Sequence, residues 1–424
     1  MFIMKLRIVV KFIVGCGIVD GWGDYEHLKT VLKELQKYGI SKQSIAVYLN
    51  FIQPNKKRDE RISQDLQAQN ITFTKDNINN YFANNPILKD KDIIFIDVSY
   101  PSGLLEEKCI REGKTKQFTF YQLCFDSSKE FFCFGFSKDS WGIPITSPLL
   151  LEQSKRPDPY YVPVYLKKTG NFLSDKELNA GALFIVTSFS KNKEANKFLL
   201  PKDIFDFSHD GLGIEEDKAG ELKEKQKKYA QSTMRLKIIE AAKDFDVSIS
   251  KVQFITQPVA DKEREDHTIY IIYYYAPDNE YKQSFLNGCL VSGDNTIASA
   301  FSLCERSLPF FQASAGCITT VINEIAALCK SLALEDLQRY ILLCKVISTY
   351  DKIDDKYIKE YIGFFKENDK YQRLLEQWNK LRKHVTDNLN FQQIFKNNLI
   401  DYLGLKVVTA VPSSDDLSKT SSFK

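Results

Sequence analysis

The chain has 424 residues, with 58 lysines and arginines against 55 aspartates and glutamates, a formal charge of +3 at pH 7, and 43% hydrophobic residues. This is the composition of a globular protein too long for one ordinary core, so two domains with appendages are expected. So small a charge excludes an electrostatic case for nucleic acid, whose binders gather basic residues on one face.

At the N-terminus Lys5 and Arg7 precede an apolar run ending Ile13-Val14-Gly15-Cys16. A lipoprotein signal with Cys16 as its lipidation site has this form, but Lys11 puts a charge where a signal core disfavours one. The run also leads straight into a glycine cluster, as a buried strand would. A strand over residues 8–14 and a cytoplasmic location are therefore expected, with an exported effector or a lipoprotein as alternatives. No other uncharged apolar stretch reaches the ~18 residues that span a bilayer.

The cluster is Val19-Asp20-Gly21-Trp22-Gly23-Asp24, followed by Leu28, Val31, Leu32 and Leu35 at helical spacing over residues 25–38. A strand, a glycine turn and a helix N-terminus leave backbone N–H groups pointing outward, ready for an anion or polar ligand. A dinucleotide fingerprint fits poorly, because the frame from Gly15 puts Asp20 where the third glycine belongs and no acidic residue closes the second strand. Asp20 and Asp24 instead read as carboxylates at the ligand-facing edge, able to take a proton or hold a nucleophile, with Gly21, Trp22 and Gly23 completing an acceptor loop. The plain alternative is a helix cap at either aspartate. His27 has no visible partner and reads as a surface histidine.

Further strands are expected at 45–51, 93–98, 118–125 and 131–136, an alternation with helices that predicts a mainly parallel sheet. Dense prolines, with Pro157, Pro159 and Pro163 among aromatic residues, mark residues 148–165 as a linker. Residues 1–147 form the first lobe on this reading, and residues 166–390 the second.

The second lobe is expected to begin with a strand at 182–188. A charged helix through about residue 245 follows, then strands at 252–256, 269–275 and 288–292. After the last comes the second cluster, Ser292-Gly293-Asp294-Asn295-Thr296, opening a helix that ends near Pro309. Gly293 would permit a tight bend, while the Thr296 hydroxyl, the Asn295 amide and free N–H groups would cradle a diphosphate. Asp294, being negative, suits a sugar hydroxyl or an acceptor cation, unless Asp294 or Asn295 is simply a cap. Tyr275 closes the preceding strand and would help wall the donor side. Beyond Thr319 the pattern is helical, with a crossover helix in 391–411 and a polar tail, 412–424, expected to be disordered. Nine scattered cysteines without Cys-x-x-Cys spacing read as buried free thiols, and no metal site is expected.

At these two clusters the chain resembles the glycosyltransferases of the GT-B fold. The stretch from Ser292 to Leu303, with Leu308-Pro309-Phe310-Phe311, is similar to their donor-side strand–turn–helix–strand. Val19-Asp20-Gly21-Trp22-Gly23-Asp24 is similar to the V-D-x-x-G-D acceptor loop of the arginine rhamnosyltransferases that modify elongation factor P. The resemblance implies two Rossmann-like lobes facing a central cleft, with a helical C-terminal extension. It implies Asp20, Asp24 and Asp294 as the catalytic set, and Ser292, Gly293, Asn295, Thr296 and Tyr275 on the donor side. The activity implied is inverting, metal-independent transfer from a nucleoside-diphosphate sugar to a protein or small-molecule acceptor, without a cofactor. Ser299 stands where many members carry a donor-side glutamate. That supports a degenerate, non-catalytic binding protein as one alternative; a nucleotide-sugar epimerase or hydrolase is another.

Overall fold

Parallel pairing organises both halves of the computed structural model, which describes residues 11–18, 23–52, 54–75, 93–99, 116–121, 132–133, 135–136, 140, 142–145, 161–168, 173–192, 195–201, 204–205, 216–256, 267–273, 284–313 and 316–403. In the first lobe, β1 (Lys11–Ile18), β2 (Ile45–Phe51), β3 (Thr72–Thr74), β4 (Ile93–Ser99), β5 (Lys116–Tyr121) and β6 (Phe132–Cys133) form one six-stranded sheet ordered β3-β2-β1-β4-β5-β6. Strand β1 is central, and Val14 pairs with both Val47 and Ile96. Its residues are buried, as a parallel sheet covered by helices requires. Helix α1 (Gly23–Lys37) buries Leu28, Val31, Leu32 and Leu35, the stripe its spacing predicts, and α2 (Lys56–Ala68) follows β2.

The second lobe starts with β7 (Tyr161–Pro163), α3 (Asp175–Lys191), β8 (Lys197–Leu200) and α4 (Glu216–Asp244). Next come β9 (Lys251–Ile255), β10 (Thr268–Tyr273), β11 (Leu290–Val291), α5 (Asp294–Leu303) and β12 (Phe310–Phe311). The pairings run β7-β8-β10-β9 and β11-β12, all parallel, and a bridge from Val164 to Leu290 joins the two groups. Helices α6 (Gly316–Ser331), α7 (Glu335–Thr349), α8 (Asp355–Lys366), α9 (Asn368–Asn388) and α10 (Phe391–Leu403) complete the chain. Two Rossmann-like α/β lobes with a helical C-terminal extension result.

Two expectations fail here. Residues 182–188 are not a strand but the middle of α3, a helix begun by a Ser174–Glu177 capping box and buried on nearly every side. Its unbroken apolar run has no readable period, so only length separates helix from strand. The proline-rich stretch read as linker in fact ends in β7, a fully buried strand. Pro163 is tolerated because pairing on its second side begins only at Val164. The rest of the expected linker and the 412–424 tail lie outside the described residues.

Several contacts join the lobes among the described residues. Helix α1 packs against α5. The Phe136 ring lies 4.9 Å from Phe301, and Glu324 on α6 accepts a hydrogen bond from the Phe136 N–H at 3.4 Å. The chain between α9 and α10 returns to residues 142–145: Ile143 N–H donates to Leu389 O at 2.8 Å, and Phe391 N–H to Ile143 O at 3.0 Å. The Gln392 amide then bonds both backbone groups of Ile145.

Candidate functional site

In a doubly wound sheet the ligand crevice opens beside the carboxyl ends of strands whose neighbours run off in opposite chain directions. The first lobe has this point between β1 and β4; β1 ends there at Ile18, and α1 opens at Gly23 and Asp24. The second has it at β7. The Val164 N–H donates to Leu199 O at 2.8 Å on the β8 side, and the next N–H, of Tyr165, to Leu290 O at 2.9 Å on the β11 side. The Ser292–Thr296 turn leaves β11 there.

This second turn is built from its own side chains. The Thr296 hydroxyl donates to Gly293 O at 2.8 Å and accepts from Gly293 N–H at 3.1 Å. Ser292, fully buried, donates its hydroxyl to Tyr165 O at 2.6 Å, tying β11 to the end of β7. Of the two, Thr296 is the one whose hydroxyl is expected to help cradle a diphosphate. A phosphate oxygen only accepts, and a hydroxyl has one proton to donate. In both residues that proton goes to a backbone carbonyl, and these bonds shape the turn. Asn295 is half-buried, and its carbonyl accepts from Ser299 Oγ at 2.9 Å. Asp294 is the first residue of α5, and Gly293 its N-cap.

Gly293 has φ −142° and ψ 158°, extended backbone that any residue adopts, so the bend does not need glycine's freedom. A Cβ added there would meet Thr296 Oγ1 at 3.8 Å and Tyr165 Cε1 at 4.0 Å, ordinary contacts. Neither backbone conformation nor packing therefore calls for glycine at this turn.

Sequence reasoning missed the residues lining this edge from β7 and β12. Tyr165 is 36% exposed, with its ring beside Gly293. Gln312 follows β12 and is fully buried; its side chain accepts from Lys167 N–H at 3.0 Å and donates to Lys167 O at 3.0 Å. The prolines that hid β7 hid Tyr165 and Lys167 with it. The signal was the alternation Val162, Val164, Leu166 running up to two lysines.

At the first turn, Gly23 and Asp24 open α1. Asp24 is 1% exposed, and its carbonyl accepts from Cys16 Sγ at 3.5 Å. The Asp24 side chain is thus closed to solvent at the start of α1. His27, expected at the surface, is equally buried one turn on. Cys16, the alternative lipidation position, is a core residue of β1, and Cys289, Cys304, Cys329 and Cys344 are also buried free thiols. Asp20, Gly21, Trp22 and Tyr275 lie outside the described residues. Among those described, no cluster of His, Cys, Asp and Glu is arranged to hold a metal, and no helix is long and apolar enough to cross a membrane.

The far end of α5 is held as firmly as its start. Trp378 Nε1 donates to Cys304 O at 2.6 Å. Arg382 donates to Phe301 O at 3.0 Å and Ser302 O at 3.2 Å, filling carbonyls that a helix end leaves unpaired.

No family model matches the chain, and no curated protein matches it. Solved structures of similar course include the trehalose-6-phosphate synthase OtsA, at 8% identity and TM-score 0.42 over 94% of this chain and 99% of that one. The UDP-forming α,α-trehalose-phosphate synthase from Burkholderia vietnamiensis has 9% identity and TM-score 0.40, covering 94% and 99%. That from Burkholderia xenovorans, in complex with glucose-6-phosphate, has 9% identity and TM-score 0.41, covering 93% and 100%. At such identity no residue role carries over from them to this chain.

Proposed function

We propose that the protein transfers a sugar from a nucleoside diphosphate to a protein or small-molecule acceptor. The observation that supports this reading is that β1 and β11 end at the switch points of their sheets, with the helices that follow them, α1 and α5, packed on each other. The donor diphosphate sits at the N-terminus of α5, where N–H dipoles meet negative charge and the bare Gly293 backbone permits close approach. Tyr165 offers an aromatic face beside it, Lys167 brings positive charge to the same edge, and Tyr275 closes the wall. Asp294 and Asn295 hold sugar hydroxyls, or, for Asp294, a cationic acceptor such as a guanidinium.

In the reaction the acceptor nucleophile gives its proton to Asp20 and attacks the anomeric carbon. The bond from that carbon to the phosphate oxygen breaks, and the diphosphate leaves with its charge on preorganised N–H donors. One such displacement inverts the anomeric centre. Asp24, buried, fixes the loop that carries Asp20. These donors supply the neutralisation that a metal gives elsewhere, so chelator is expected to leave turnover unchanged.

Thermal-shift measurements with UDP, GDP, dTDP and their sugars test the reading, since a ligand that binds only the native state raises the midpoint. A flat response to all of them removes it. NMR of the product's anomeric proton tests inversion; retention, the course of trehalose-6-phosphate synthase, would remove the single-displacement scheme. One observation favours a second reading, a binding protein without turnover. Ser299 turns its hydroxyl back onto Asn295 O and cannot act as the donor-side glutamate would. Nucleotide binding with neither transfer nor sugar release would establish it.

A further inference from the structure

We propose that α8 is the contact face of a two-fold homodimer, lying antiparallel on α8 of a second copy. Asp355, Ile358, Lys359, Ile362, Gly363 and Lys366 line one side of a groove of about 510 Å³, and Lys243 and Asp244 at the end of α4 line the other. The opposite face of α8, with Tyr361 and Phe365, is spent on the core. The groove lies at the end of α4 that leads into the amino edge of β9, away from both switch points.

The order of residues on this face is self-complementary. Antiparallel pairing about the middle of the helix sets Asp355 against Lys366 of the partner subunit, so a carboxylate meets an ammonium at both ends. The same pairing sets Ile358 against Gly363 of the partner subunit, and Lys359 against Ile362 of the partner subunit. Every groove residue of α8 then has a match of opposite charge or complementary size. A Cβ on Gly363 would meet nothing within 4 Å, so no packing inside the protomer calls for glycine, the residue least suited to a helix interior after proline. Its open space receives an isoleucine. Ile362 forms the buried floor, which the aliphatic stem of a lysine covers while its head stays in water.

Lys366 already pairs with Asp246 at 2.8 Å on an exposed edge, and an ammonium has donors for both carboxylates. Lys243 and Asp244 cancel, and Asp355 offsets Lys366, so each copy brings only the charge of Lys359 to the groove. Ile239 and Leu236, exposed one and two turns before Lys243 on α4, extend the apolar surface. A single helix pair would fall short of the ~1,200 Å² that a stable interface buries.

The test is sedimentation velocity of the full chain across a concentration series. A monomer–dimer equilibrium is expected. Lys366→Glu and Asp355→Lys should each weaken it by about tenfold or more, because like charges then meet at both ends. The double variant should restore it, since the pairs are re-formed with signs exchanged. Gly363→Gln should give a monomer that melts no lower than the parent, which separates a lost contact from a lost fold. A chain that is monomeric at every concentration overturns the proposal, as do single charge reversals that associate like the parent. Association only with an amphipathic helix of another protein overturns it too.

Discussion

The side chain of Gln312 holds Lys167 by both its backbone groups, donating to the carbonyl and accepting from the N–H. The clasp ties the end of β12 to the segment after β7, across the turn that opens α5. Gln312→Leu strands two polar groups and should cost roughly 1–3 kcal/mol for each left unsatisfied. Urea unfolding measures that loss. Nucleotide titration of the folded fraction should show weaker binding as well, since Tyr165 and Lys167 lose their anchor.

Gly293→Ala should leave stability within about 0.5 kcal/mol of the parent, because the backbone is extended and the new methyl meets only ordinary contacts. The thermal shift produced by nucleotides should nonetheless shrink. A methyl that leaves the shift intact would show that no ligand approaches this backbone.

The two aspartates of the first turn should separate by what they damage. Asp20→Asn is expected to lower kcat by about 10²–10⁴-fold at unchanged melting temperature, the usual contribution of a positioned base. Asp24→Asn, at a buried helix start, should lower the melting temperature first. Steady-state kinetics and calorimetry on both variants decide it, and an active Asp20→Asn protein rules that residue out as the base.

Glu324 carries the acid-range pH dependence of the lobe contact. Desolvation by burial raises its pKa, and the bond from Phe136 N–H only partly offsets this. A carboxyl whose folded pKa exceeds its unfolded one favours the fold below the unfolded value and loses that advantage as pH rises through the folded one. Glu324→Gln should therefore gain on the parent as pH rises past the ordinary glutamate range and through the raised folded value. Parallel melting curves over that range check the sign.

Gly142 has φ +74°, and a Cβ there would overlap the carbonyl of Leu389. Gly142→Ala is expected to cost more than about 3 kcal/mol, through left-handed backbone and collision together. Limited proteolysis should then find the 389–392 strap released before either lobe unfolds.

Where hydrophobic period and length agree, the residues alone locate the elements: strand 45–51 matches the structure end to end, and the helix expected within 391–411 begins at Phe391 as read. The failures have local causes. Helix α3 is apolar on all sides and shows no period, while β7 hides behind prolines that an incompletely paired position tolerates. For the site, the two turns are legible because glycine and aspartate announce a strand-to-helix bend. The duties of Thr296 and Ser292 are not, since a hydroxyl's single proton goes to whichever acceptor the fold brings near. Gln312 is invisible for a related reason: its partner stands far back in the chain, and only the sheet order brings them together.

Helix α5 is a short rod, ten residues or ~15 Å long, with the crevice at one tip and the indole of Trp378 at the other. That indole is fully enclosed, hydrogen-bonded to Cys304 and packed 4.9 Å from Phe301. Any tilt or tightening of the rod when its first tip is occupied must change what the indole senses. With Trp22 and Trp141 replaced, emission of this indole would be the built-in optical gauge of that movement, without an added label.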